Sequence, residues 1–348
     1  APTICFLAVA FCASIAITSP HYVKGEYVIT EKILEIEIEA VRALHERLQE
    51  WLIQTPIMRC RSLENCLAGS FEIHAKLEFL QRTGTFKPRG ALSVMLGLNA
   101  QQRKAGVTTV SAGNHAIATA FAAKALGTNA KVVMIINASP IRVERCRYFG
   151  AEVVFAHDAH HAFELAEEIQ NKEGRFLVHP FEGFDIALGT ATVGLEIYEQ
   201  IPDLDVVLIP IGGGGLCAGI ASVIKQLKPQ CKVIGIEPVG ADSMSRSFES
   251  GKPEAIEKVA TIADSLGAPF ALPISYALCK ENLDELVLVN DNELKNTMAL
   301  LFRELKIAVE PACAASTAAL MGPLSNRFSG KKVVPVMCGS NIDWQTFS

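Results

Sequence analysis

Charge is scarce in this chain, and neither sign dominates. Of 348 residues a fifth are Asp, Glu, Lys or Arg, the net charge is −5, and the pI is near 6.0. No basic field exists to gather phosphate backbones, which excludes nucleic acid as an expected partner. The ten cysteines (Cys5, Cys12, Cys60, Cys66, Cys146, Cys217, Cys231, Cys279, Cys313, Cys338) include no C-x-x-C pair and no Cys/His spacing suited to zinc. That pattern reads as reduced, cytoplasmic chemistry, with most thiols acting as small core hydrophobes. No low-complexity segment or internal repeat interrupts the text. An apolar run, Ile4 to Ile17, spans about 14 residues against the ~20 that a bilayer crossing needs, and no positive charge precedes it. Membrane insertion is therefore not expected, residues 1–28 read as an N-terminal extension, and export or targeting through the apolar run is the lesser alternative to a cytoplasmic location.

What is present is apolar sequence, 50% of the chain, enough to bury a large core in two domains or one large α/β unit. Glu31 to Leu52 has the spacing of a long amphipathic helix. Beyond it, strand-like runs (Lys131–Ile136, Glu152–Ala156, Phe176–His179, Asp205–Ile211, Lys232–Glu237, Lys332–Met337) alternate with helical stretches (His115–Leu126, Ile141–Phe149, His160–Lys172, Leu216–Leu227). The alternation predicts open, mostly parallel sheets covered by helices on both faces. Ligand sites in such folds lie at the carboxyl ends of strands, so the loops after these runs are the place to look for chemistry.

Four clusters stand out. Lys87 is wedged between Phe86 and Pro88 in Thr85-Phe-Lys-Pro-Arg-Gly-Ala91; a lone loop lysine is most often a solvated surface charge, but among small and apolar neighbours it can lose its proton and act as a nucleophilic amine. Ser111-Ala112-Gly113-Asn114-His115 opens an Ala-rich helix and reads either as a cap or as a cradle for a carboxylate. Gly212-Gly213-Gly214-Gly215-Leu216 lies between an apolar run and a helix, and a run of four glycines suits a phosphate gripped by successive N–H groups. The stretch also fits a dinucleotide fingerprint through Gly213, Gly215 and Ala218, with Glu237 placed where a ribose-binding acid would sit, so an NAD-dependent oxidoreductase stays open. Finally, Cys338 ends the last apolar run, in Cys338-Gly-Ser-Asn341, a position where a thiol usually serves packing. Glu310, before Pro311, reads as a charged strand or helix end, with a place near the ligand as the alternative.

Taken in order, the four clusters resemble those of the fold-type II pyridoxal-phosphate (PLP) enzymes, the tryptophan synthase β-like fold, and within them the serine/threonine dehydratase and serine racemase branch. The likeness runs from about Ile29 to Asp343. It implies a large cofactor-binding domain of residues 29–100 and 187–348, and a small substrate-closing domain of residues 101–186. It assigns Lys87 to a Schiff base with PLP and Phe86 to the pyridine ring. Gly212 to Gly215 and Leu216 would hold the phosphate, Cys338 would face the pyridine nitrogen, and Asn114 the phenolic oxygen. Ser111, Ala112, Gly113, Asn114 and His115 would hold the substrate carboxylate.

The departures sharpen this. Racemases carry a serine as acid/base where this chain has Ala112, which favours elimination. The branch's cation site would fall on Glu237, Ala241 and Ser243, and Ser243 replaces an expected Asp, so a monovalent or divalent cation is a weak expectation. Gly189-Thr-Ala-Thr192 stands where many relatives read G-Q-G-T, and no allosteric domain follows the last strand. The resemblance thus implies dehydration and deamination of a small β-hydroxy L-amino acid, L-threonine or L-serine, to a 2-oxo acid and ammonia. A serine racemase or hydroxyaspartate ammonia-lyase is the alternative. A homodimer or homotetramer is the family's habit.

Overall fold

The computed structural model describes residues 35–67 and 71–347; the apolar run of Ile4 to Ile17 and the extension of residues 1–28 lie outside them. In chain order the strands are β1 (Ile57–Arg59), β2 (Glu72–Leu77), β3 (Val107–Val110), β4 (Ala130–Ile135), β5 (Glu152–Ala156), β6 (Phe176–Leu177), β7 (Val206–Pro210), β8 (Lys232–Pro238), β9 (Glu285–Val289) and β10 (Lys332–Met337). They form a six-stranded sheet in the order β1-β2-β10-β7-β8-β9 and a four-stranded sheet in the order β5-β4-β3-β6. Every pairing is parallel except that of β1 with β2.

The apolar runs explain the layers. All five residues of β7 are buried, as expected of a central parallel strand covered on both faces. Helices Phe184–Gln200 and Gly215–Leu227 pack against each other, and the helix Pro311–Met321 lies on β7 and β10. Residues 107–177 supply all four strands of the smaller sheet, and the flanking sequence supplies the larger one. Among the described residues, no helix is long and apolar enough to cross a membrane.

Two sequence expectations change. The helix expected over Glu31 to Leu52 is Ile38–Leu48, because Glu37 is extended (ψ 130°) and the chain turns after Leu48; residues 31–34 lie outside the described part. The run Phe176–His179 pairs only over Phe176–Leu177. Beyond it Pro180 has no N–H to offer a ladder, and the His179 ring takes up the following backbone donors instead. Strands β1, β2, β3 and β9 have no counterpart in the sequence reading, being short and mixed in polarity.

The topology places the site. The carboxyl ends of β3, β6, β7 and β10 converge, bringing Ser111, His179, Gly212 and Cys338 to the wall of one cavity of about 580 Å³.

Candidate active site

Lys87 sits at the start of the helix Pro88–Leu96, whose first residue is a proline that needs no N–H partner. The preceding turn is held against the end of β10. Gly84 has φ +76°, a side chain there would strike Asn341, and Ser340 N–H bonds to the Gly84 carbonyl at 3.0 Å while Phe86 N–H bonds to that of Cys338 at 3.2 Å. The Lys87 ammonium donates to the Pro180 carbonyl (2.6 Å) and lies 5.1 Å from the centre of the Phe86 ring. Burial pulls its pKa down from 10.5 to about 8, and the start of a helix pushes the same way. The rate at which apoprotein captures PLP should therefore rise about tenfold per pH unit below about pH 8 and level off above it. Stopped-flow absorbance checks this, and a rate still climbing towards pH 10.5 would show an ordinary lysine.

The turn after β3 carries the second group of residues. Gly113 precedes the helix Asn114–Ala125, and the N–H groups of Ala112, Asn114, His115 and Ala116 donate to no described residue. Four unpaired donors at a helix start are suited to an anion. His115 Nε2 lies 2.9 Å from the Val178 carbonyl; burial, helped by the charge on Lys87, lowers its pKa to about 3 and keeps it neutral.

Asn114 does not point at random. Its Oδ1 accepts from Asn341 Nδ2 (2.8 Å), which also donates to the Thr83 carbonyl (2.8 Å). The Asn114 amide N–H groups are thereby turned onto Glu310, at 2.8 and 3.0 Å from its two oxygens. Glu310 meets both sequence readings. It precedes a helix, its carboxylate is buried in the cavity wall, and burial raises its pKa against the opposing pull of Asn114.

The glycine run forms a cradle and a packing contact at once. Gly214, at φ +94°, caps the helix Gly215–Leu227, and the N–H groups of Gly213 to Cys217 have no acceptor among the described residues. A Cβ on Gly213 would lie 2.2 Å from the Phe181 ring, and one on Gly215 would lie 2.4 Å from the Phe181 carbonyl. Close packing of Phe181 therefore demands glycine as strongly as an anion would.

Cys338 is buried, and its contact with Cys313, together with burial, raises its pKa so that the thiol stays neutral. His179 and Pro180, Arg142, and the phenylalanines Phe163, Phe181 and Phe270 also line the cavity, and sequence reasoning did not select them. The His179 Nδ1 accepts the N–H groups of Phe181 (3.3 Å) and Glu182 (2.9 Å), which puts its proton on Nε2; burial lowers its pKa to about 3.

The cation candidates do not converge on the cavity. Glu237 is fully buried, and its carboxylate caps the helix Ser243–Ser250 by accepting from Met244 N–H (2.9 Å), Ser245 N–H (2.8 Å) and Ser245 Oγ (2.7 Å). Ser243 Oγ donates to the Ala268 carbonyl instead. Among the described residues, no group of three or more His, Cys, Asp or Glu could hold a metal ion. The same capping role removes Glu237 as a ribose-binding acid, and with it the main support for a dinucleotide at Gly213, Gly215 and Ala218.

The cavity thus joins a deprotonable amine, a row of free N–H groups for a phosphate, a neutral thiol and an aromatic floor. That set complements an aromatic aldehyde carrying a phosphate. Comparisons agree with this chemistry. A family model described as "Pyridoxal-phosphate dependent enzyme" matches residues 48–339. A phenylserine dehydratase of Ralstonia pickettii is 51% identical over 312 residues, covering 90% of this chain and 95% of that protein. An L-threonine ammonia-lyase of Thermotoga maritima is 36% identical, covering 88% of this chain and 76% of the relative. The solved structure of maize serine racemase superposes with a TM-score of 0.84 at 31% identity, covering 89% of this chain and 95% of that one.

Proposed function

The chain belongs to the family of pyridoxal-phosphate dependent enzymes, and from that membership we propose that it eliminates water, then ammonia, from a β-hydroxy L-amino acid with an aromatic side chain, 3-phenylserine. The finer expectation of L-threonine or L-serine gives way to a bulkier substrate on one observation. Phe163, Phe181 and Phe270 form an apolar wall inside the cavity that holds Lys87, with Phe181 and Phe270 ring centres 6.2 Å apart. A methyl or hydrogen side chain would leave much of that wall uncovered, whereas a phenyl ring would bury against it.

When bound, PLP supplies the electron sink that makes the Cα–H bond labile. Lys87 would hold the cofactor, and its amine, whose pKa burial lowers to about 8, would serve as the base that takes the Cα proton. The free N–H groups of Gly213 to Gly215 and Leu216 hold the phosphate. Phe86 would pack against the cofactor's ring, Cys338 would present a neutral thiol to its nitrogen, and Asn114 would serve its phenolic oxygen by releasing an amide N–H from Glu310. Ser111, Gly113, Asn114 and His115 hold the substrate carboxylate. Ala112, which has no proton to move, disfavours racemisation. The segment of residues 101–186 acts as the small domain that closes over the substrate.

The phenylalanine wall gives the test. Phe270→Ala is expected to reduce the preference for phenylserine over threonine, measured as the ratio of kcat/KM values, by about tenfold. A wild-type enzyme that already prefers threonine, or a ratio unmoved by Phe270→Ala, would contradict the aromatic assignment.

A further inference from the structure

The charged residues lining the cavity are Lys87, Arg142, Asp264 and Glu310, while His115 and His179 are neutral. Lys87 is a buried amine whose pKa burial lowers to about 8, so Arg142 is the permanent positive charge among these residues. Arg142 comes from the helix Pro140–Tyr148 on the smaller sheet, and it reaches across to the larger one. Its Nη1 bonds to Asp264 Oδ2 (2.5 Å), its Nη2 reaches Asp264 Oδ1 (3.5 Å), and its Nη2 (3.3 Å) and Nε (3.4 Å) bond to the Asn341 carbonyl.

Arg142 pairs with both carboxylate oxygens of Asp264, and two features leave that pairing open to exchange. The Arg142 side chain is 13% exposed whereas Asp264 is 55% exposed, so the acid is a solvated partner that water readily replaces. One hydrogen of Nη1 also has no acceptor among the described residues, and Nη1 is the atom that a Cβ on Gly113 would meet at 3.3 Å. Since Gly113 has no side chain, nothing on that residue separates the guanidinium from the unpaired N–H groups of Ala112, Asn114 and His115.

We propose that Arg142 is a substrate-binding residue that pairs with the α-carboxylate held on the Ser111–Asn114 turn, in competition with Asp264. The inference rests on the amino-acid assignment above and adds to the backbone cradle a side-chain cation contributed by a different helix. Because Arg142 also bonds to the Asn341 carbonyl, the same side chain ties the carboxylate cradle to the loop that orients Asn114.

The test uses the PLP-loaded protein and two ligands without a β-hydroxyl, L-phenylalanine and L-phenylalaninamide, which share amine and ring and differ in the carboxylate. Binding is read from the shift in cofactor absorbance, without turnover. In the wild type the acid binds more tightly than the amide. Arg142→Met is expected to weaken acid binding by about 10- to 100-fold, the value of a charge-assisted hydrogen bond, and to leave the amide unchanged. Arg142→Lys keeps part of the preference, and Asp264→Asn, which removes the competing acid, tightens the acid alone. Equal weakening of both ligands in Arg142→Met, or an unchanged preference, would overturn the proposal by leaving Arg142 a purely structural strut. Should Arg142→Met fail to fold, Asp264→Asn decides: an unaltered preference there overturns the competition. A wild-type spectrum that responds to neither ligand refutes the amino-acid assignment itself, which is a different result from an undiscriminating Arg142 variant.

Discussion

Replacing Lys87 with alanine should abolish the absorbance band near ~410 nm expected of a lysine–PLP Schiff base and lower turnover by about 10⁴-fold or more, since covalent anchor and general base are lost together. The geometry gives two reasons for so large an effect. Lys87 is a buried amine whose pKa burial lowers to about 8, and its one hydrogen bond in the cavity is to the Pro180 carbonyl, which cannot replace it as a nucleophile. Its neighbours His115 and His179 are held neutral, and the Nδ1 lone pair of His179 is spent on two backbone donors. Borohydride reduction followed by peptide mapping is the check: the wild type should carry the pyridoxyl group on Lys87, and a variant that retained the band and normal turnover would place the anchor elsewhere.

The second large effect lies behind the site. Two residues beyond Lys87, Arg89 enters a fully buried ion network. Its Nη1 and Nη2 bond to Glu196 at 2.7 and 3.0 Å, and its Nε and Nη2 bond to Glu78 at 2.8 and 2.9 Å. Lys76 completes the set with Glu196 at 2.6 Å and the Thr55 carbonyl at 2.7 Å. The network holds two cations and two carboxylates, so it is balanced. Burial pulls the Glu196 pKa upward, but Arg89 and Lys76 together outweigh it and hold the carboxyl below its ordinary range. Glu196→Ala would leave two buried cations sharing one acid, and is expected to lower the unfolding free energy by about 3–5 kcal/mol, read from the denaturation midpoint. A loss below about 1 kcal/mol would mean that water or a rearranged Glu78 compensates. Because the network joins the helix after Lys87 to Phe184–Gln200 and β2, its loss should also loosen cofactor retention.

Much of this arrangement is legible in the sequence, and the reasons are local. Central parallel strands such as β7 and β10 are continuous apolar runs, so their ends, and the Gly212 and Cys338 loops that follow, can be located by pattern alone. Lys87, Ser111 to His115, and Gly212 to Leu216 all line the cavity and all belong to short contiguous motifs. The residues that escaped are those whose role depends on a distant partner. Glu310 is singled out in the sequence, but its partner is not: Asn114, 196 positions earlier, donates to it only in the fold. Arg142 shares a helix with Arg145 and Arg147, and nothing in that stretch of sequence sets it apart from them. Phe163, Phe181 and Phe270 come from three separate segments, and only the fold makes them one wall. Glu237 failed in the opposite direction, because its spacing suits a ribose or a cation while its carboxylate is used up by a helix start.

The most direct measurement of the central claim is to give the PLP-loaded protein L-3-phenylserine and follow phenylpyruvate and ammonium together. Elimination of water followed by hydrolysis predicts that both appear in equal amounts, only with PLP present and only with Lys87 intact. Absence of phenylpyruvate from a protein that nonetheless shows a cofactor band shifted by phenylserine would contradict the dehydratase assignment while leaving PLP binding in place.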